Sequence, residues 1–266
     1  MSYISPLSKR RLLQRFGPLG AARVTFLALA WLFIAAPASA NLLFLNGFSK
    51  NFAGLGAPST TTTESASADA APDDVLDNLR ENFRLTYDDN PRTAAELRWF
   101  VRHPDYLDRV FTRAQRYLPY IVLELERRGM PLELALLPIV ESAYDPFAYS
   151  HGRAAGLWQM IPGTARRFGI KQNWWYDGRR DVVDSTRAAL DYLQYLVGLN
   201  DGDWLNAIAS YNSGEGNVLR AARKNRKANK PTDFWHLKLP RETSMYVPKL
   251  LALVEIVSDP EKYYLT

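Results

Sequence analysis

The 266-residue chain contains no cysteine. That excludes a disulfide framework, a cysteine-ligated metal and a lipid-modified cysteine as an anchor. Its three histidines, His103, His151 and His236, are not grouped like metal ligands, so neither metal nor cofactor is expected. Runs of alternating apolar residues bounded by turn signals are missing, which leaves no basis for a full sheet. No internal repeat is visible.

Excess charge is also missing once the N-terminus is set aside. The whole chain has 33 basic and 28 acidic residues. Lys9, Arg10, Arg11, Arg15 and Arg23 precede an apolar run, Val24 to Ala36, and no acidic residue accompanies them. Pro37-Ala38-Ser39-Ala40 then closes in a small-x-small pattern. This is the layout of a secretory signal peptide over residues 1–40, with cleavage after Ala40. The apolar run falls short of the ~20 residues of a membrane span. The alternative is an uncleaved anchor that associates with the membrane, since Leu42-Leu43-Phe44-Leu45 adds apolar surface. Beyond Ala40 the formal charge balances, so the basic pI belongs to the leader and nucleic acid is not expected as a partner. An exported chain of this kind points to the periplasm or cell envelope.

Residues 41–75 read as a flexible linker. Ser59-Thr60-Thr61-Thr62-Thr63 and the Ser/Ala/Asp stretch up to Asp74 have little to bury. From residue 76 to 266 the pattern is that of a helical domain, with its core at about 130–225. Asp73-Asp74 suit the start of a helix carrying Val75, Leu76, Leu79 and Phe83. Further helices are predicted over Thr93–Val101, Pro104–Arg128, Pro131–Glu141, Pro162–Phe168, Ser185–Leu199, Asp203–Tyr211, Gly216–Arg223 and Arg241–Val257. The basic run from Arg223 to Lys227 reads as a solvated face.

Within this helical domain, one carboxylate has unusual company. Glu141 closes the apolar stretch Leu137-Pro138-Ile139-Val140 and is followed by Ser142. An ionised carboxylate is poorly solvated there, so its pKa is expected to rise, and a carboxyl protonated near neutrality can serve as a general acid. Three more patterns follow in order. They are Gly156-Leu157-Trp158-Gln159, then Ser210-Tyr211-Asn212-Ser213-Gly214, then Glu242-Thr243-Ser244-Met245-Tyr246. Taken together they suggest a sugar cleft. The aromatic faces of Trp158, Tyr211 and Tyr246, with Tyr149, Trp174 and Trp175 as further candidates, suit the apolar faces of pyranose rings. The amides of Gln159 and Asn212 offer donors and an acceptor to hydroxyl and N-acetyl groups. Glycosidases ordinarily use two carboxylates. Asp145 lies one helical turn after Glu141, but Pro146 disfavours helix at that position, and Asp145 reads as structural. Asp177 and Asp181 are weaker candidates.

The four patterns fall within about 105 residues, and on them the chain resembles the lysozyme-like lytic transglycosylases, most of all the membrane-bound D branch. The similarity runs over roughly residues 76–264. That resemblance implies an all-α, lysozyme-like (goose-type lysozyme or SLT) domain acting on peptidoglycan glycan strands as a monomer. It implies that Glu141 protonates the leaving glycosidic oxygen and then, as a base, takes the proton of the sugar's own 6-hydroxyl. The product would be a 1,6-anhydro-N-acetylmuramic acid end. Ser142 resembles the serine that orients the substrate or the glutamate. Gln159 and Asn212 resemble the amides that hold the acetamido sugar. Tyr211 would line the cleft, and Tyr246 resembles a late tyrosine that contacts the catalytic carboxylate. The lysin-motif modules common in the D branch are not found in these 266 residues. The alternatives are a goose-type lysozyme-like hydrolase and a catalytically inactive peptidoglycan-binding protein.

Overall fold

Prolines and short acidic side chains start most of the helices. The structure is a computed structural model that describes residues 72–87 and 89–263, with side chains from 75 onward. The leader and most of the linker lie outside the described residues, as do the side chains of Asp73 and Asp74, whose backbone falls within the first turn of the first helix. Among the described residues there are ten α-helices and no strands, only three isolated bridges. The all-α class is therefore the observed one.

The N-terminal helices are α1 (Pro72–Glu81), α2 (Pro91–Val101), α3 (Pro104–Ala114) and α4 (Leu118–Arg127). Asn90 caps α2 through its side chain, with Pro91 in the first turn. The predicted helix over 104–128 is divided in two. Pro119 has no N–H to donate, so the chain breaks after Ala114 and restarts at Leu118. The predicted helix from Pro131 is divided as well, into a 3-10 turn over Leu132–Leu136 and a short α5 (Leu137–Ser142) with Pro138 in its first turn.

The second half comprises α6 (Pro162–Arg167), α7 (Val182–Leu199), α8 (Trp204–Ser213), α9 (Glu215–Lys227) and α10 (Arg241–Ser258). Asp181 and Asp203 cap α7 and α8 by accepting from Asp184 N and Asn206 N, each at 2.9 Å. Helix α10 crosses the molecule and packs against α2, α8 and α5. A single apolar cluster runs from Val75 and Leu79 of α1 through Leu134–Leu137 to Leu250–Val257 of α10. The N-terminal helices thus share this main core with the second half of the described chain, and a small second cluster, Tyr192, Leu196 and Ala207, lies between α7 and α8.

Helix α10 contains Pro248, which leaves the carbonyl of Ser244 without its helical partner. Arg92 of α2 supplies one, donating from Nη1 to that carbonyl at 3.3 Å. Its guanidinium also lies 4.9 Å from the Trp235 ring centroid and donates to the Trp235 carbonyl. The half of α10 that carries Glu242 and Tyr246 is thereby fixed against α2.

Candidate active site

The exit from α5 is bent sharply. Ala143 and Tyr144 both adopt left-handed backbone, with φ of 51° and 58°. That conformation costs an L-residue about 1–2 kcal/mol each, and it is rare for a bulky side chain. The surroundings hold it in place. Tyr144 is fully buried and donates its hydroxyl to the Ala135 carbonyl at 2.6 Å, while Ala143 N and Tyr144 N close onto Ile139 O and Pro138 O. The bend stops α5 one residue after Glu141 and so fixes that carboxylate at the helix end.

Glu141 is half-buried. Burial lifts its pKa from the ordinary 4.5 to about 7, the charge of Glu242 adds to the rise, and a hydrogen bond from Tyr246 opposes it. The Tyr246 hydroxyl donates to Glu141 Oε1 across 105 residues of sequence. Burial and the carboxylate's charge push the phenol well above its usual range, so Tyr246 remains a donor. The carboxyl is thus poised to hold or release a proton near neutrality.

The loop after Gly156 is gripped on several sides. Ser142 Oγ donates to Leu157 O at 2.9 Å, and Tyr211 Oη donates to Trp158 O at 2.8 Å. The buried guanidinium of Arg179 donates to the Arg153 and Met160 carbonyls, while Nε and Nη2 grip the carboxylate of Asp177. Gly156 has φ +83°, and a Cβ there would lie 1.7 Å from the Arg179 carbonyl oxygen. Only glycine permits that approach. Tyr211 also senses Glu141, whose charge adds to burial in raising the phenol's pKa.

Several expectations are changed by this geometry. Trp158 offers no stacking face: its side chain is fully buried and its indole N–H donates to Thr186 Oγ1 at 3.0 Å. It anchors the loop in the core, because a large apolar ring gains more there than in water. Ser142 acts on the loop backbone and makes no hydrogen bond to Glu141. The Gln159 amide nitrogen is committed to Ala148 O and Gly156 O at 3.2 and 3.0 Å, so only its Oε1 remains to face a ligand. Asn212 Oδ1 accepts from Thr243 Oγ1 at 2.8 Å, and its Nδ2 lies 3.5 Å from Glu242 Oε1. Asp145 accepts from Phe147 N at 2.9 Å in a turn of its own. Asp177 is paired with Arg179, and Asp181 caps α7, so each of the three aspartates has a structural partner. Among the described residues no group of acidic or histidine side chains is arranged to hold a metal.

Three contributors were not singled out from the sequence. Glu242 bears electrostatically on Glu141, Thr243 orients Asn212, and Arg179 holds the loop. Glu242 lies one helical turn before Tyr246, a spacing that places both on one face of α10. No local pattern betrays the role of Arg179 in the loop, since the carbonyls it holds there lie 19 and 26 residues away.

The family model of the transglycosylase SLT domain matches residues 120–234. The chain is 47% identical over 194 residues to the membrane-bound lytic murein transglycosylase D of Escherichia coli (strain K12), covering 73% of this chain and 43% of that protein. It is 45% identical over 152 residues to a protein of Alteromonas sp. (strain M-1) named for tributyltin chloride resistance, covering 57% of this chain and 73% of that one. A solved structure of an inactive mutant of the lytic transglycosylase Slt from Pseudomonas aeruginosa matches at 21% identity and a TM-score of 0.41, over 74% of this chain and 38% of that one. The chain spans less than half the length of the transglycosylase D it matches.

Proposed function

The chain belongs to the SLT-domain family of lysozyme-like lytic transglycosylases, and from that membership we propose that it cleaves peptidoglycan glycan strands. The bond is the β-1,4 linkage between N-acetylmuramic acid and N-acetylglucosamine. The observation that carries this reading is Glu141: a carboxyl with a pKa near 7, hydrogen-bonded to Tyr246, with no second carboxylate in hydrogen-bond contact among the described residues.

The protonated carboxyl of Glu141 gives its proton to the glycosidic oxygen as the bond from C1 to that oxygen breaks. The resulting carboxylate then takes the proton of the muramic 6-hydroxyl. O6 bonds to C1, Glu141 is protonated again, and no water is consumed. Intramolecular attack by O6 carries the advantage of a high effective concentration. The substrate's own acetamido oxygen stabilises the cationic centre in place of a second carboxylate. Tyr246 keeps the carboxyl aimed through both proton transfers. Ser142, Tyr211 and Trp158 hold the loop that presents Gln159, while Thr243 holds Asn212. The catalytic domain, expected over 76–266 with its core at about 130–225, takes in the whole of α1 from Pro72, since Val75 is part of the core. Residues 1–40 export it to the periplasm and the stretch from 41 to the start of α1 tethers it. Among the described residues no helix is long and apolar enough to cross a membrane.

Glu242 favours a second reading. Its charge bears on Glu141, and hydrolysis by water ordinarily employs a second carboxylate. Mass analysis of muropeptides released from purified peptidoglycan separates the two. Ends lighter by one water support the transglycosylase, whereas reducing ends sink it in favour of a lysozyme-like hydrolase. Binding without release would indicate an inactive binding protein.

A further inference from the structure

Trp174 and Trp175 stand 88% and 90% exposed at the tip of a hairpin. An indole normally buries 150–250 Å², so two neighbouring ones left in water mark a surface that awaits a ligand. The hairpin is built to keep them there. Asn173 Oδ1 accepts from Trp175 N and Tyr176 N at 2.9 and 2.8 Å, Asn173 N donates to Tyr176 O at 2.8 Å, and Gly178 N donates to Lys171 O at 3.0 Å. Tyr176 Oη donates to Asp184 at 3.1 Å. The indoles line a shallow concavity of about 450 Å³ together with Asn173, Asp177, Arg180 and Asp181. Its lining includes neither Glu141 nor Gln159, Asn212 or Tyr246.

We propose that this hairpin is an accessory glycan-binding subsite that stacks on pyranose rings of the strand away from the bond being cleaved. The inference rests on the reading of the chain as a peptidoglycan transglycosylase. Three observations select a sugar. First, the indoles are edged by an amide, carboxylates and a guanidinium, which pair with hydroxyl groups while the rings cover apolar C–H faces. Second, the indoles together offer about 400 Å² by the usual burial of such rings, which fits one or two sugars and falls short of the ~800 Å² per partner of a stable protein interface. Third, Asp177 and Asp181 of the lining offset Arg180, and Arg179 is already paired with Asp177, so the concavity carries no excess positive charge to draw an anionic lipid surface.

The hairpin is also continuous with the candidate active site. Its last bridging residue, Asp177, holds Arg179, and Arg179 holds the Gly156–Gln159 loop at both ends. A strand bound on the indoles is therefore referenced to the same rigid frame as the loop beside Glu141.

The test uses the full 266-residue chain with both tryptophans replaced by alanine. The first measurement is co-sedimentation with purified insoluble peptidoglycan in the Glu141→Gln background. The second is steady-state cleavage in the active background, on the polymer and on a short soluble glycan. The subsite predicts about tenfold weaker sedimentation, a matching rise in KM on the polymer, and unchanged kcat, short-glycan turnover and melting temperature. Unchanged sedimentation from a parent that does cleave overturns the subsite alone. Weaker sedimentation from a parent that releases no product supports the subsite and overturns the transglycosylase reading. Tryptophan-dependent binding to phosphatidylglycerol vesicles, or tryptophan-dependent self-association, with peptidoglycan affinity unchanged, assigns the hairpin to a membrane or to a second copy and overturns the proposal.

Discussion

Replacing Tyr246 with phenylalanine removes one oxygen and leaves the ring in its buried place. The lost group is the hydroxyl that donates to Glu141 Oε1. That bond favours the charged carboxylate, so its loss raises the Glu141 pKa above its present value of about 7. A hydrogen bond to a charged group contributes ~1.5–3 kcal/mol, and each pH unit corresponds to ~1.4 kcal/mol, so the rise is on the order of 1–2 units. A general acid must be protonated, so activity of the parent falls as pH increases through about 7. In Tyr246→Phe that alkaline limb moves up by the same ~1–2 units. The maximal rate falls, because the carboxyl loses the bond that aims it. The assay is the rate of muropeptide release from pH 4 to 10, fitted for its alkaline limb. A limb that stays in place, or moves down, would refute the assignment of Glu141 as the acid and Tyr246 as its partner.

Glu242→Gln removes a negative charge that lifts Glu141, so the alkaline limb moves down; an unmoved limb in the same assay would show that the two carboxylates do not interact. Glu141→Gln removes a buried acid whose folded pKa, about 7, exceeds its unfolded value near 4.5. The folded state therefore holds its proton more tightly, and the stability tied to it is fully present below about pH 4 and lost as pH rises to 7. The variant should match the parent's melting temperature at pH 4 and exceed it at pH 8, by an upper bound of ~3 kcal/mol in stability; a lower melting temperature at pH 8 would contradict the burial. Gly156→Ala drives a methyl into the Arg179 carbonyl, and a loss of ~3 kcal/mol, or ~6–12 °C in melting temperature, is expected together with loss of activity. Arg179→Met leaves Asp177 without its partner and frees two loop carbonyls; ~3–5 kcal/mol is expected from chemical denaturation, and a loss under 1 kcal/mol would show the clamp to be dispensable.

Much of this arrangement was legible in the residues, and the illegible parts have common physical causes. The helical spacing of Leu107, Val110, Ala114, Leu118 and Ile121 marked a buried stripe correctly, yet it concealed the break before Pro119 because both helices present the same face to the core. Helix starts at Pro104 and Pro162 were visible because proline and its missing N–H act locally. Glu141 announced itself through its apolar neighbours, and burial does raise its pKa. The left-handed pair Ala143-Tyr144 gave no signal, since neither residue favours that backbone and only the buried Tyr144 contacts maintain it. Trp158 was misread for a related reason. An aromatic beside a glycine loop looks the same in sequence whether it faces a ligand or the core, and the partner that decides, Thr186, lies 28 residues away. Gln159 stands in the Gly156 loop, and Asn212 lies within α8, which runs two residues past the expected end at Tyr211; their commitments to Ala148, Gly156 and Thr243 depend on the folded backbone.

The central claim is that Glu141 serves alone as acid and then as base, with the sugar's own hydroxyl as nucleophile. Digestion of purified peptidoglycan in water enriched in oxygen-18 tests it directly. The account predicts new muramic ends without oxygen-18, lighter than reducing ends by one water, and no such ends from Glu141→Gln. Incorporation of one labelled oxygen at each new end, or undiminished release by Glu141→Gln, would contradict it.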